Sequence, residues 1–332
     1  MDNLTHSLVG ALIGQAGLKK KTGLAMPALI IGANLPDVDV TCFAWTTGLE
    51  HLAFRRGITH GPPALLLLPV ALAGILWGFD RWQEKRGKRP EGRLPVHFGW
   101  LFALSFIACL THPALDWMNT YGIRLLEPFS HRWFYGDVLF IIDVWLWLGM
   151  GLGLWLSLRR QKRGQSWRWP AVSALALAVV YIGWNWLETQ GTQAIYAINS
   201  KVAPSAENGL GPTPHVPSDV FIASPILFGA GAREIIVGEK NNWFVGKSGD
   251  TVGPRNVTPI ADQRCAWPDT DTLRKTNSQL DAFLFWSRAP FAARAEDGSV
   301  MLHDARYYGG GVTNSFTVAL PDVACEELPP GN

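Results

Sequence analysis

The feature that constrains this chain most is a series of long apolar runs separated by short basic stretches. Residues 62–80 (PPALLLLPVALAGILWGFD), 96–115 (VHFGWLFALSFIACLTHPAL) and 138–158 (VLFIIDVWLWLGMGLGLWLSL) reach the length a helix needs to cross the hydrocarbon core of a bilayer. A fourth run, 170–187 (PAVSALALAVVYIGWNWL), is adequate. Backbone inside a bilayer must satisfy its own hydrogen bonds, so such runs are expected to be helical. Two earlier runs, 6–18 and 24–36, are short. They read as tilted half-spans or as a re-entrant pair buried against the other helices.

Orientation follows from the basic residues. Lys19, Lys20 and Lys21 mark one turn. Arg81, Lys85, Arg86, Lys88, Arg89 and Arg93 mark a second, and Arg159, Arg160, Lys162, Arg163 and Arg168 a third. These 14 cations alternate with loops 37–61 and 116–137, which hold only Arg55, Arg56, Arg124 and Arg132. Basic loops stay cytoplasmic. The chain is therefore expected to cross six times with both termini outside, which in a bacterial inner membrane means the periplasm. The first positive cluster follows the first apolar run and no small-residue cleavage site succeeds it, so no cleavable signal peptide is expected. Nor is there a basic patch with interleaved aromatics, which argues against a nucleic-acid partner.

Beyond residue 187 the character changes. Residues 1–187 hold 18 Lys+Arg and 11 Asp+Glu, whereas 188–332 hold 11 and 16. Short runs such as DVFIAS, REIIVG, FLFWS and FTVAL, set between Gly, Pro, Asn and Asp clusters, read as strands. The expected fold is a mainly α polytopic membrane domain over 1–187, with about six segments of which the first two are short. A β-rich soluble C-terminal domain over 188–332 follows it. Residues 201–218, with four prolines, read as a linker, and the tail EELPPGN as frayed. Cys265 and Cys325 both fall in the exported half, where an oxidising compartment would allow them to pair. Cys42 and Cys109 read as small core residues.

The unusual polar residues all fall on one side of this topology. His6 opens the first short run and Asp37 and Asp39 (NLPDVD) close the second. His60 (RRGITHG) precedes the third, and His112 and Asp116 (THPALDWMNTYG) end the fourth, four residues apart and so on one helix face. Asp137 precedes the fifth and Asp143 lies about two turns into it. The cations were assigned without reference to the histidines, and every one of these groups lands at the outer face. Taken singly, each has a plain explanation: interfacial histidine, first-turn aspartate, chance spacing. Asp143 is harder to explain, because a carboxylate inside a span costs about 3 kcal/mol unless paired.

Imidazole and carboxylate are ligands for Zn²⁺ and Mn²⁺. His6, Asp37, Asp39, His60, His112 and Asp116 are thus the expected ligands of a divalent metal, Zn²⁺ before Mn²⁺. Six donors exceed the need of one tetrahedral ion, so two ions bridged by Asp37 or Asp39 are expected, an arrangement suited to activating water in phosphoesterases and some peptidases. Asp37, Asp39 and Asp143 are the candidate catalytic carboxylates. Arg55 and Arg56 could hold an anionic substrate or serve topology. Asn119 could donate to substrate or shape a turn. Arg132, in PFSHRWFYGD, lies in an interfacial belt or a lid that admits lipid.

The segments DNLTHSLVGALIG, GANLPDVDV, RRGITHG, THPALDWMNTYGIRLLEPFSHRWFYGD and FIIDVWLW occur in the order found in the YbcI/YdjM family of bacterial inner-membrane metal-dependent hydrolases, which the chain resembles over nearly its whole length. The C-terminal ASPILF and LHDARYY look like that family's tail. The resemblance implies a helical membrane domain with a metal site drawn from His6, Asp37, Asp39, His60, His112 and Asp116. A more distant similarity, to zinc-dependent phospholipases C and nucleases, favours phosphoester hydrolysis. One departure stands out. Many members read His-Arg-Gly-x-Thr-His, and here Arg55 takes the place of the first His, so that this chain does without it or uses His51, one turn earlier.

The expected function is a membrane-embedded hydrolase using metal-activated water on a lipid or lipid-linked phosphoester or amide at the outer face. Its expected partners are the bilayer and that substrate; the sequence names no protein partner. A structural or sensory metal site is the alternative. An ion-coupled transporter fits less well, because the cytoplasmic halves of the helices are almost wholly apolar.

Overall fold

The computed structural model describes residues 1–201, 220–229, 231–239, 242–248, 258–260, 264–308 and 315–328. The chain divides into two compact units, Met1–Thr41 with Arg56–Asn185, and Cys42–Arg55 with Trp186–Asn332.

The first unit is helical. Helix α1 (Asn3–Gln15) starts where Asp2 accepts hydrogen bonds from the backbone N–H groups of Leu4 and Thr5. Helix α2 (Ala25–Asn34) packs against it so closely that a Cβ on Gly10 would lie 2.5 Å from the Leu29 carbonyl oxygen. A run of 3₁₀ turns, Leu35–Ala44, continues from α2, and a single turn, α3 (His51–Phe54), belongs to the second unit. Helix α4 (Pro62–Lys85) opens with proline at its first position, where a missing N–H costs nothing. Helix α5 (Phe98–Trp117) lies against both α2 and α4. Its contact with α2 is made through Gly32, Ala28, Ala33 and Ala108, the small residues that let membrane helices approach. Helix α6 (Val144–Lys162) packs on α1, and α7 (Arg168–Lys201) runs out of this unit into the next.

Three of these helices are long and apolar enough to span a bilayer: α4, α5 and Arg168–Tyr196 of α7. The expected count of six is not reached. Helices α1 and α2 have 13 and 10 residues, too short for a perpendicular span. The run 138–158 becomes helical only at Val144, and α6 meets Arg159 and Arg160 before its apolar stretch is long enough. The run 170–187 is only the first part of α7, so residue 187 lies inside a helix.

Side-chain contacts gather the cations of the three basic stretches at one end of this unit. Lys19 bonds Gln161 and lies over the Trp167 ring, and Lys21 lies over Trp100. Arg81, Arg86 and Arg159 lie over Trp77, Trp82 and Trp155. Buried Asp80 takes Arg89 and Arg93. Such cation–tryptophan pairs suit a membrane–water interface.

The second unit carries two antiparallel sheets. Strands β1 (Val220–Pro225), β2 (Arg233–Glu239), β3 (Asn242–Lys247) and β4 (Thr258–Pro259) form the first in sequential order. The short α8 (Thr270–Leu273) and α9 (Ser278–Trp286) follow. Strands β5 (Pro290–Arg294), β6 (Ser299–Asp304) and β7 (Thr317–Ala324) form the second sheet. Ile222, Ile236, Trp243, Phe291 and Ala293 share one core, with the Trp243 Nε1–H donating to Pro290 O. The run FLFWS is not a strand but the end of α9. Asn277 caps that helix, and Leu280, Phe283 and Trp286 are buried at three-residue spacing, a helical rather than an alternating pattern.

Cys265 and Cys325 are disulfide-bonded across 60 residues, a loop whose closure is worth about 4 kcal/mol on chain-entropy grounds. Cys42 and Cys109 are free and buried. The tail is paired as far as Leu328, whose N–H donates to Arg264 O. Beyond it, 329–332 lie outside the described residues, as does all of the expected linker except Lys201.

Candidate metal centre

The end of the first unit opposite the tryptophan-paired cations holds the histidines and carboxylates. Asp37, His60, His112 and Asp116 each offer one ligand atom, and these four atoms lie within 4.8 Å of one another, all in buried residues. They come from the turn after α2, the turn before α4, and two successive turns of α5.

Each is held by its own surroundings. In α5 the four-residue spacing brings His112 Nε2 to 3.5 Å from Asp116 Oδ2. The other ring nitrogen of His112, Nδ1, lies 2.7 Å from the Ala33 carbonyl oxygen. A carbonyl can only accept, so Nδ1 carries the hydrogen and in the neutral ring Nε2 presents a lone pair. That lone pair also faces Asp37 Oδ1 at 3.7 Å. His60 Nε2 lies 3.6 Å from Asp116 Oδ2, while its Nδ1 is 2.9 Å from the Thr59 hydroxyl. Thr59 in turn lies 3.4 Å from Asp39 Oδ2, which also accepts the Arg56 backbone N–H at 2.7 Å. Burial lowers the His60 pKa, which favours the neutral imidazole.

Hydrogen-bond accounting shows what this arrangement lacks. His60 Nε2 and His112 Nε2 are buried and have no hydrogen-bond partner among the described residues, and Asp116 Oδ2, which both face, has the Arg56 Nε at 3.1 Å as its ion-pair partner. Buried polar atoms are nearly always paired, so acceptors gathered around a shared point need an explanation. Their separations of 3.5, 3.6 and 3.7 Å are too long for good hydrogen bonds. They do match the edge, about 3.4 Å, of a tetrahedron of N and O ligands about 2.1 Å from a central ion. Two imidazoles and two carboxylates are a donor set that fits Zn²⁺ or Mn²⁺.

The remaining expected residues fall around this group. His6 stacks on His112 at 3.8 Å, and its Nε2 lies 3.4 Å from Asp116 Oδ1, which the Met1 nitrogen also contacts. Asp39 orients Arg56 and Thr59 and is not among the four convergent groups. The carboxylate shared by His6, His60 and His112 is Asp116, rather than Asp37 or Asp39. Buried Arg56 places Nε 3.1 Å from Asp116 Oδ2, its Nη1 donates to Asn119 Oδ1 and Gly122 O, and its guanidinium covers Tyr121. Asn119 Oδ1 also accepts the Tyr121 N–H, so it shapes a turn and holds Arg56. Asp143 does not lie two turns into a span: it is the N-cap of α6, accepting from Leu146 N and from the Tyr181 hydroxyl. Arg132 is exposed and lies over Phe134. Arg55 and His51 belong to the second unit, where His51 Nδ1 meets Gly48 O.

Sequence reasoning passed over Thr59 and the Ala33 carbonyl, which fix the two imidazoles. Thr59 adjoins His60 in RRGITHG and could have been weighed; a backbone carbonyl 79 residues from its histidine leaves no trace in the sequence.

Fold and site together define an integral membrane protein with a buried His/Asp centre at one end of its helices. The chain belongs to the YdjM inner membrane protein family, which matches residues 1–192 and so includes all four convergent groups. It is also 31% identical over 141 residues to the uncharacterized protein YfhP of Bacillus subtilis (strain 168), covering 40% of this chain and 39% of that one. The chain thus matches about two-fifths of the length of that relative. No solved structure matches.

Proposed function

We propose that the protein is a divalent-metal-dependent hydrolase of the inner membrane, acting on a phosphoester or amide of a lipid or lipid-linked substrate at the outer face. The observation that carries this reading is that the buried, unpartnered Nε2 atoms of His60 and His112 both face the Asp116 carboxylate at 3.6 and 3.5 Å, close to the edge of a metal tetrahedron. Asp37, His60, His112 and Asp116 are the residues that would hold the ion, with Zn²⁺ favoured by the donor set over Mn²⁺. A bound ion would supply Lewis acidity toward a phosphoryl or carbonyl oxygen.

The protein's own groups then divide the work. Asp39 and Thr59 fix the His60 ring, and the Ala33 carbonyl fixes that of His112. Arg56 balances the charge of Asp116 and keeps its carboxylate in register. Asp37 alone among the four retains some exposure, 7%, which places it to accept a proton from an attacking water. His6 stacks on His112 and faces Asp116, so it would be available to a second ion. Arg55 and Arg132 remain the candidates for contacting an anionic headgroup. The outer-face assignment rests on the basic loops: with these in the cytoplasm, the opposite end of the helices, which carries the site, is periplasmic.

Purified protein in phospholipid nanodiscs, assayed against phospholipids and isoprenoid phosphates with and without Zn²⁺ or Mn²⁺, tests the reading. Metal-dependent product release that disappears in Asp116→Ala is expected. Metal-loaded protein that turns over neither phosphoester nor amide lipids would instead assign the centre a structural or sensory role.

A further inference from the structure

The segment Cys42–Arg55 lies between two stretches of the helical unit but belongs to the second. It has two faces. Leu49 and Leu52 are buried, and the segment is tied to α9 by Ser278, whose hydroxyl donates to Glu50 at 2.6 Å. Phe43, Trp45 and Phe54 point the other way and are 52%, 61% and 37% exposed. Trp45 and Phe54 meet edge to face at 5.8 Å, and Arg55 and His51 lie against Phe43 at 5.9 and 4.8 Å. A water-soluble surface rarely leaves three adjacent aromatics this exposed.

Chain connectivity says what covers them. Phe43 is two residues beyond Thr41 and Phe54 two before Arg56, so each backbone lies at most about 7 Å from the helical unit. Asp39 and His60, beside these points, belong to the end of the unit opposite its tryptophan-paired cations. The segment is therefore tethered at both of its ends to residues of the membrane unit. Phenylalanine and tryptophan accompanied by an arginine and a histidine make an amphipathic surface suited to the headgroup–acyl boundary, the cation meeting lipid phosphate.

We propose that Phe43, Trp45 and Phe54 form an interfacial anchor, inserted at the headgroup–acyl boundary of the bilayer. The occupant of this surface is phospholipid. The inference needs only the family's residence in a membrane and stands whether or not the centre is hydrolytic.

The test uses the full chain in phosphatidylethanolamine/phosphatidylglycerol nanodiscs, with an environment-sensitive NBD label on Trp45→Cys or, separately, on Phe54→Cys. Exposed Glu296→Cys, in the β5–β6 turn, is the water-facing control, and the unsubstituted protein gives the labelling background of buried Cys42 and Cys109. A blue-shifted emission at positions 45 and 54, lost on adding doxyl-labelled lipid and insensitive to iodide, is expected, with the reverse at 296. Iodide quenching at 45 and 54 equal to that at 296 would overturn the proposal. So would protection from both quenchers, which would mean that protein, a second copy or another partner, covers the face. The two labelled variants report independently should one fail to fold.

Discussion

Two buried aspartates, one in each unit, meet opposite surroundings. Asp304 in the second unit is ringed by donors: the Ser287 hydroxyl at 2.5 Å, the Arg288 N–H at 3.2 Å, and Arg306 through its backbone N–H and two guanidinium nitrogens at 2.7–3.0 Å. Burial would raise its pKa, but Arg306 and these hydrogen bonds outweigh it and hold the carboxyl below its usual value. Asp116 in the first unit has Arg56 beside it, yet its Oδ2 also faces two imidazole nitrogens at distances that form no hydrogen bond. Full satisfaction is what a structural network achieves. Buried imidazole lone pairs turned toward a carboxylate are costly unless a cation stands between them. Burial and charge alone do not separate the two clusters; the balance of donors and acceptors does.

The largest effect that would sharpen this contrast is expected at Asp304. Changing Asp304→Asn leaves Arg306 buried without its counter-charge and should cost about 3–5 kcal/mol, read as lost hydrogen-exchange protection in β5–β7, with metal content unchanged. A fall in metal content would show that the two clusters are not independent.

His303 gives the next largest effect. It is buried between Phe291 and Tyr308, and burial lowers its pKa from 6.5 to about 4. The unfolded chain therefore binds this proton first as pH falls, and stability is lost between about pH 6.5 and 4, up to roughly 3 kcal/mol. A His303→Gln variant should lose that part of the pH dependence in a chemical denaturation series; an unchanged profile would remove His303 as its source.

At Thr59 the effect is smaller and confined to the metal centre. Thr59→Val should lower divalent-ion affinity about 10–100-fold by freeing the His60 ring, with no change in helix content. Unaltered affinity would leave Thr59 outside the support of the site.

Much of this was legible in the sequence because it depended on residue type and order. The helical membrane half, the family resemblance, the β-rich remainder and the gathering of histidines and aspartates away from the basic loops all came from pattern. What escaped depended on backbone detail. An apolar run reports burial and not the residue where a helix begins, so 138–143 read as helix and Asp143 as a buried mid-span charge, when it is a cap. FLFWS has strand-like composition, and only the spacing of Leu280, Phe283 and Trp286 marks it as helix. Arg56 read as holding an anionic substrate or serving topology, because sequence alone could not show that its guanidinium turns inward to Asp116 and Asn119. The partition of Cys42–Arg55 into the second unit depends on packing with α9, 230 residues away in the case of Leu49 and Gln279.

The most direct test of the central claim is elemental analysis of the purified full-length protein beside its Asp116→Ala and Asp304→Asn variants. Near-stoichiometric zinc or manganese in the parent and in Asp304→Asn, with background levels in Asp116→Ala, is the predicted result. Equal metal in all three, or none in the parent after equilibration with either ion, would contradict it.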